Sequence, residues 1–353
     1  MPRRLLAAMT ALLLLWPLGG CASREEAVAD PRRFTRSFLG CMDTVVTLTV
    51  YCRTSGEFDA AAQYVDEELR RLDAVFDIYD PFSTVSAVNV SAGKGVPTLS
   101  RDVADLVEYC RTMQGQVPGV NVAMGGVLRL WHTAREQGNP PAADALRQAG
   151  EHASLSAVRT AGEQVEILDR ELSLDFGAVA KGYAARMIAR GLKAMGLTDF
   201  LLDCGTSTIV CAGSPPGKQG WTVALRNPDA TLNLSGAPDP PPYLGTLTLR
   251  GKSLGVSGDY QQYFVSNGTY YSHIIDPGTL QPAARYRTVC VVTPDPCDAD
   301  YLSTALFALP YDQGRKAAEN LPGMEALWVM PDGGVRATPG FQRLWTEYTP
   351  GGD

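Results

Sequence analysis

The sequence is poor in the residues that several common chemistries need. Its 353 residues include three histidines, His132, His152 and His273, and no C-x-x-C pair, which leaves too few ligands for a zinc cluster. No G-x-G-x-x-G follows a strand-like run. The approach to a P-loop at Gly245 to Gly251-Lys252-Ser253 has one spacer residue too many and falls in a strand-like run. Gly255-Val256-Ser257-Gly258 lacks the second spacer of a nucleophile elbow, and no spacing singles out a His and Asp partner for Ser257. The common nucleotide-binding folds are thereby disfavoured. Positive charge is also scarce: the formal net charge is −7, and −9 once residues 1–20, which carry Arg3 and Arg4 and no acid, are removed. That balance argues against general nucleic-acid binding. No fixed-period repeat occurs, and after residue 20 no apolar run is long enough to cross a bilayer.

What remains is ordinary globular material, 45% hydrophobic and 20% charged, long enough for one large domain or two smaller ones. At its start Arg3-Arg4 precedes an apolar run from Leu5 to Leu15 and then Leu18-Gly19-Gly20-Cys21. The run is too short to span a bilayer comfortably, and the tetrapeptide resembles a bacterial lipobox, whose cysteine is lipidated after cleavage. An ordinary secretory signal that happens to contain a cysteine is the alternative. Residues 1–21 are therefore expected to be a lipoprotein signal with Cys21 as the lipidation site, and residues 22–37 a polar tether. The folded domain is expected over 38–345, in the bacterial cell envelope, lipid-anchored on the periplasmic face of the inner membrane. With Cys21 set aside, Cys41, Cys52, Cys110, Cys204, Cys211, Cys290 and Cys297 remain, an odd number that cannot all pair internally. Such a location permits disulfides, and sequence does not assign them.

Thr44–Tyr51 has the β-branched enrichment of a strand, and Phe58–Phe76 has helical spacing. The polar, aromatic segment from Phe76 to Asn89 reads as a surface loop. Helices are expected at Arg101–Met113, through Trp131, and at Pro140–Gly150 beyond the Gly138-Asn139-Pro140-Pro141 break. Strand-like runs fill 155–176, 200–213 and 221–225, then 246–293 with intervening turns. Helices at 298–308 and 312–319 and a strand at 326–330 follow. Residues 227–243 are the most obvious internal loop. Hairpins mixed with helices indicate an α+β fold with mixed or antiparallel sheets.

Two stretches carry the chemistry. Leu172 to Phe176 reads as a short strand, Gly177 permits a tight turn, and Tyr183, Ala184, Met187, Ile188 and Leu192 recur at helical spacing. Lys181 then falls near a helix start, where the unpaired N–H groups already present partial positive charge. An anion such as a phosphate accounts for it, with Asp175 contacting a polar part of the same ligand. A solvated lysine and a turn-forming aspartate are the alternative. In Asp298-Ala299-Asp300-Tyr301-Leu302-Ser303-Thr304, Asp300 and Thr304 lie one helical turn apart and offer two hard oxygens to one point, a set suited to Mg²⁺. The alternative is that Asp298 or Asp300 caps the helix and Thr304 bonds back to it.

With Asp175-Phe-Gly-Ala-Val-Ala-Lys-Gly-Tyr183 and Asp298-Ala-Asp-Tyr-Leu-Ser-Thr304 both present, and with Ser257-Gly-Asp-Tyr260 followed by His273-Ile-Ile-Asp-Pro277, the chain resembles the ApbE family of FAD:protein FMN transferases. Met42-Asp-Thr44, Ser83-x-x-Ser86-x-x-Asn89 and Asn121 to Trp131 extend the resemblance over about Leu39 to Phe341. It implies a T-fold-like architecture, Mg²⁺ held by the Ala178 carbonyl, Asp300 and Thr304, and flavin-nucleotide contacts at Met42, Tyr79, Asn121, Asp175, Lys181 and His273. It further implies catalytic parts for Asp300, Lys181 and His273, with a hydrogen-bonded structural role as the alternative for the histidine. Where the family has Gly in Met-Gly-Thr this chain has Asp43. Its common Phe-Asp is Val120-Asn121, the Asp often found after Lys-Gly-Tyr is Arg186, its Thr-Ser-Gly is Val256-Ser257-Gly258, and the Gly usual after Asp-Pro-x-Thr is Leu280.

The expected activity is Mg²⁺-dependent transfer of FMN from FAD to a Thr or Ser hydroxyl of a membrane redox flavoprotein subunit, releasing AMP. Hydrolysis of FAD to FMN and AMP, and non-catalytic storage of FAD, are the rivals.

Overall fold

A computed structural model of the chain describes residues 30–349 apart from 206, 235, 237 and 238. The signal sequence, Cys21 and most of the tether lie outside the described residues.

The frame is one eight-stranded sheet in the order Arg32–Cys41, Thr44–Cys52, Phe200–Cys204, Thr208–Ala212, Lys252–Gly258, Thr288–Thr293, Glu325–Val329 and Val335–Ala337, with every neighbouring pair antiparallel. Residues 32–37, read as tether, therefore belong to the first strand. Their side chains Thr35 and Ser37 pair with Thr49 and Thr47 across the ladder. The first two strands turn through Met42 and Asp43 alone, both left-handed at φ 57° and 51°. A two-residue turn with both φ values positive matches the twist of a hairpin. Asp43 tolerates the conformation that a glycine would take without strain.

One face of this sheet carries the helices. Ser55–Phe76 and Ala180–Ala194 bury Leu69, Ala185, Ile188 and Leu192 against Leu48, Val50 and Leu202. Arg101–Gln116 and Pro296–Ala308 close the larger core around Val107, Phe176, Tyr301 and Phe307. The opposite face is covered by a second antiparallel sheet, Trp345–Glu347, Tyr243–Leu249 and Trp221–Arg226, over Leu254, Cys290 and Leu327. A third small sheet joins Thr98–Leu99, Gln164–Ile167 and Val158–Ala161. The result is the expected α+β architecture. The seven cysteines from Cys41 to Cys297 are free and buried. Among the described residues, no helix is long and apolar enough to cross a membrane.

Two local readings change. Phe76 to Asn89 is not all loop: Ser83 accepts from the Ser86 N–H and caps the helix Thr84–Val90. Leu172–Phe176 is extended but makes no ladder beyond one bridge, Met124 to Ser173. The reason is Asn89, whose side-chain amide donates to the Leu174 carbonyl at 2.9 Å and accepts from the Leu174 N–H at 2.7 Å. A side chain thus takes the backbone groups that a neighbouring strand would use.

Candidate active site

The helix Ala180–Ala194 has no side-chain cap of its own, because its N-cap residue is Val179. The Ala180 N–H donates to the Phe176 carbonyl at 2.8 Å, and the buried Gly182 N–H needs another acceptor. Asp300, on the helix Pro296–Ala308, supplies it: Oδ2 accepts from the Gly182 N–H at 2.7 Å and Oδ1 accepts from Thr208 Oγ1 at 3.0 Å. Asp300 is 4% exposed. Burial raises its carboxyl pKa, and Lys181, the Gly182 N–H and Thr208 pull it back down.

Close approach of three segments makes this possible. A Cβ on Gly182 would lie 2.5 Å from the Asp300 Cβ and 2.7 Å from the Pro296 carbonyl oxygen, and one on Gly255 would lie 1.9 Å from the Ala299 carbonyl oxygen. Both positions require glycine. The cap of the helix Pro296–Ala308 is Asp295, which accepts from the Cys297 N–H, and Asp298 is engaged by Tyr109 and Arg186. Asp300 is therefore free of its own helix's N-terminus. Thr304 Oγ1 lies 3.3 Å from the Asp300 carbonyl, to which it donates, and 3.1 Å from Ser257 Oγ.

In a helix extended by one residue, Gly182 N–H would donate to the Ala178 carbonyl. It donates to Asp300 instead, and among the described residues no hydrogen bond to the Ala178 carbonyl is found. The carbonyl of half-buried Ala178, the Asp300 carboxylate and the Thr304 hydroxyl, on the same helix as that carboxylate, are oxygen donors of the kind a hard divalent cation takes. Among the described residues, no group of three or more His, Cys, Asp or Glu side chains could hold an ion, so a cation here would draw on backbone and hydroxyl oxygens.

Lys181 stands next to the Gly182 N–H that Asp300 takes, and its positive charge lowers the pKa of Asp175, Asp300 and His273. Asp175 folds back to accept from the Gly177 N–H at 2.8 Å, so it is a turn former as well as a site residue. Burial raises its pKa, opposed by that bond and by Arg129, His132 and Lys181. His273 Nδ1 lies 3.0 Å from the Gln262 carbonyl, which also accepts from the His273 main-chain N–H. A carbonyl only accepts, so Nδ1 carries the proton of the neutral ring and Nε2 keeps its lone pair. Burial pushes the imidazole pKa down to about 4; the Gln262 bond opposes this, while Lys181 and Arg135 add to it.

Tyr79 is 58% exposed and its ring tilts against His132 with centroids 4.7 Å apart. Met42 is tied by its N–H to Asp73 Oδ1 at 2.7 Å. The Asn121 amide is committed to structure, donating to the Ala153 carbonyl at 2.7 Å and accepting from the Ala123 N–H at 3.0 Å. It stands beside Val122, whose carbonyl accepts from the Asp175 N–H. A separate cleft of about 470 Å³ between Arg111 and Arg159 contains none of these residues.

Thr208, Gln262 and Arg135 carry no local signal, because each meets its partner across 92 or more residues or through a main-chain carbonyl.

Comparison with known proteins identifies the family. A family model described as the ApbE family matches residues 42–328. An FAD:protein FMN transferase of Treponema pallidum (strain Nichols) is 30% identical over 346 residues, covering 93% of this chain and 92% of that protein. An FAD:protein FMN transferase of Klebsiella pneumoniae (strain 342) is 28% identical over 284 residues, 77% of this chain and 82% of that protein. The crystal structure of the ApbE protein from Thermotoga maritima superposes with a TM-score of 0.76 at 23% identity, over 90% of this chain and all 100% of that one. The apo flavinyl transferase ApbE of Pseudomonas stutzeri gives 0.75 at 25% identity, over 90% and 98%. The chain belongs to the ApbE family.

Proposed function

We propose that this chain is an FAD:protein FMN transferase, passing FMN from FAD to a Thr or Ser hydroxyl of a flavin-acceptor subunit in a membrane redox complex and releasing AMP. The observation that carries the reading is the Gly182 N–H bond to Asp300 Oδ2 at 2.7 Å, which ties the helix that bears Lys181 to the helix that bears Asp300 and Thr304.

The acceptor oxygen attacks the FMN-side phosphorus, a new phosphoester bond forms, and the pyrophosphate P–O bond breaks with its electron pair leaving on AMP. His273 Nε2, unprotonated at neutral pH, takes the proton of the attacking hydroxyl. Lys181 offsets negative charge that grows on the pyrophosphate oxygens. Asp175 and the exposed Tyr79 ring bind polar and aromatic parts of the flavin nucleotide, with Met42 and Asn121 beside them. Mg²⁺, when bound, would be held by the Ala178 carbonyl, Asp300 and Thr304 and would neutralise charge at the pyrophosphate. Its own hydrogen bonds to Gly182 and Thr208 keep the Asp300 carboxylate aimed. The lipobox-like Cys21 supports anchoring by lipid at the periplasmic face of the inner membrane.

The test follows AMP when the chain lacking residues 1–21 is given FAD and Mg²⁺ with and without an acceptor subunit. AMP that requires the acceptor supports the transferase. AMP and free FMN without acceptor point to a pyrophosphatase, and tight FAD binding without either product points to storage.

A further inference from the structure

A two-stranded hairpin is marginally stable by itself, so its position is set by what it packs on. His273 directly follows such a hairpin, Tyr263–Ser266 paired with Thr269–Ser272, and its ring is held by the carbonyl of Gln262, the residue just before the first strand. We propose that Trp131 and Arg135, one turn apart on the helix Gly125–Gln137, are positioning residues that aim His273 by fixing this hairpin. The activity readout of the proposal rests on the transferase reading above.

Trp131 grips the hairpin's inner face. Its ring centroid lies 5.7 Å from Tyr271 and 6.4 Å from Phe264, which stack on each other across the ladder at 4.9 Å and 14°. Trp131 is itself immobilised: it is 6% exposed and its Nε1 donates to the Leu280 carbonyl at 2.9 Å. Arg135 grips the root, donating through Nη1 to Gln262 Oε1. The main-chain carbonyl of that same residue accepts from the His273 N–H and Nδ1 at 3.0 Å each. On the far face, the Tyr270 hydroxyl donates to the Asp259 carbonyl and prevents the hairpin from lifting.

The same helix reaches the other walls of the site. The His132 ring tilts against Tyr79, and Arg129 Nη2 donates to Ser173 Oγ at 3.2 Å, two residues before Asp175. One rigid element thus keys the positions of Tyr79, Asp175 and His273 to one another, which is what a transfer between two large substrates needs.

The decisive readout is the ring tautomer of His273, seen by nitrogen-15 NMR in a chain with three histidines. The parent is expected to be the Nδ1–H form at neutral pH. In Arg135→Gln and in Trp131→Phe the Gln262 carbonyl drifts, and the ring is expected to populate the Nε2–H form. The kcat for acceptor labelling then falls about tenfold while KM for FAD changes by less than about twofold. Arg135→Lys, which keeps a donor and the charge, is expected to restore the Nδ1–H form. A pure Nδ1–H ring in both Arg135→Gln and Trp131→Phe overturns the proposal whatever the activity. Failure of the base assignment is read separately: if His273→Gln still labels the acceptor, His273 is not the base, and the tautomer result continues to judge the positioning.

Discussion

The Gly182 main-chain N–H donates to Asp300 Oδ2 at 2.7 Å, so a carboxylate 118 residues away serves as the cap of the helix Ala180–Ala194. That one bond ties the lysine-bearing helix to the acidic one and withholds the Gly182 donor from the Ala178 carbonyl. Its consequences can be tested at both ends.

At the glycine end, a methyl group has nowhere to go: it would stand 2.5 Å from the Asp300 Cβ and 2.9 Å from the Cys297 Cα. Gly182→Ala is expected to push the two helices apart and cost about 1–3 kcal/mol in urea denaturation. Mg²⁺ binding, measured by calorimetry in the presence of FAD, should weaken at the same time. Unchanged stability would mean that the helices are less tightly held than they stand here.

At the carboxylate end, Asp300→Asn preserves shape and removes charge. Turnover of FAD is expected to fall about 10²–10³-fold and to lose its response to Mg²⁺, while circular dichroism stays that of the parent. Retained Mg²⁺-dependent activity would remove Asp300 from the metal site.

His273 gives a pH signature. Its pKa stands at about 4, below the ordinary value near 6.5. As a base it works unprotonated, so kcat/KM should hold as pH falls through about 6 and decline only toward about 4. The same shift makes a stability contribution that is present above pH about 6.5 and is lost as pH falls toward 4, because the unfolded chain takes up the proton first. An acid limb near pH 6.5 that disappears in His273→Gln would contradict this environment.

Arg287 anchors the hairpin's surroundings. It is 2% exposed, donates from Nε to Asp259 Oδ2 at 2.9 Å and from Nη2 to the Leu232 carbonyl at 2.6 Å, and pairs with Asp229 through Nη1. Burial still lifts the Asp259 pKa to about 6 despite this guanidinium. Arg287→Met takes the buried guanidinium from Asp259 and removes one partner of Asp229, and is expected to cost about 3–5 kcal/mol at neutral pH. Raised above its unfolded value, Asp259 favours folding below pH about 4 and loses that contribution as pH rises through 6. The variant's deficit should therefore shrink in acid, which denaturation at pH 5 and pH 8 would reveal.

The parts of the site that sequence makes legible are those governed by local geometry. Asp300 and Thr304 share a helix face because four residues make about one turn, and the structure adds that Thr304 also bonds back to the Asp300 carbonyl. Lys181 is conspicuous because a cation at a helix start needs a counter-charge, and the next residue's N–H is the one that Asp300 accepts from. By contrast, Thr208 and Gln262 are ordinary residues until the sheet and the hairpin bring them to Asp300 and His273. The extended run Leu172–Phe176 looks like any short strand, since nothing in it reveals that Asn89 occupies its hydrogen bonds. Residues 32–37 read as tether because polar alternation such as Thr35 and Ser37 becomes a strand only beside Thr47 and Thr49. Leu280 sits at φ 58°, where glycine would be unstrained, and its side chain packs in the cluster around Trp131.

The central claim, transfer of FMN to a protein hydroxyl, is tested most directly by the intact mass of the acceptor. The chain lacking residues 1–21 is incubated with FAD, Mg²⁺ and a flavin-acceptor subunit, and acceptor mass and AMP are followed together. The account predicts a gain equal to one FMN residue, matched by one AMP, and slowed about 10²–10³-fold by Asp300→Asn. An acceptor of unchanged mass, with AMP and free FMN accumulating at the same rate in its absence, would contradict it.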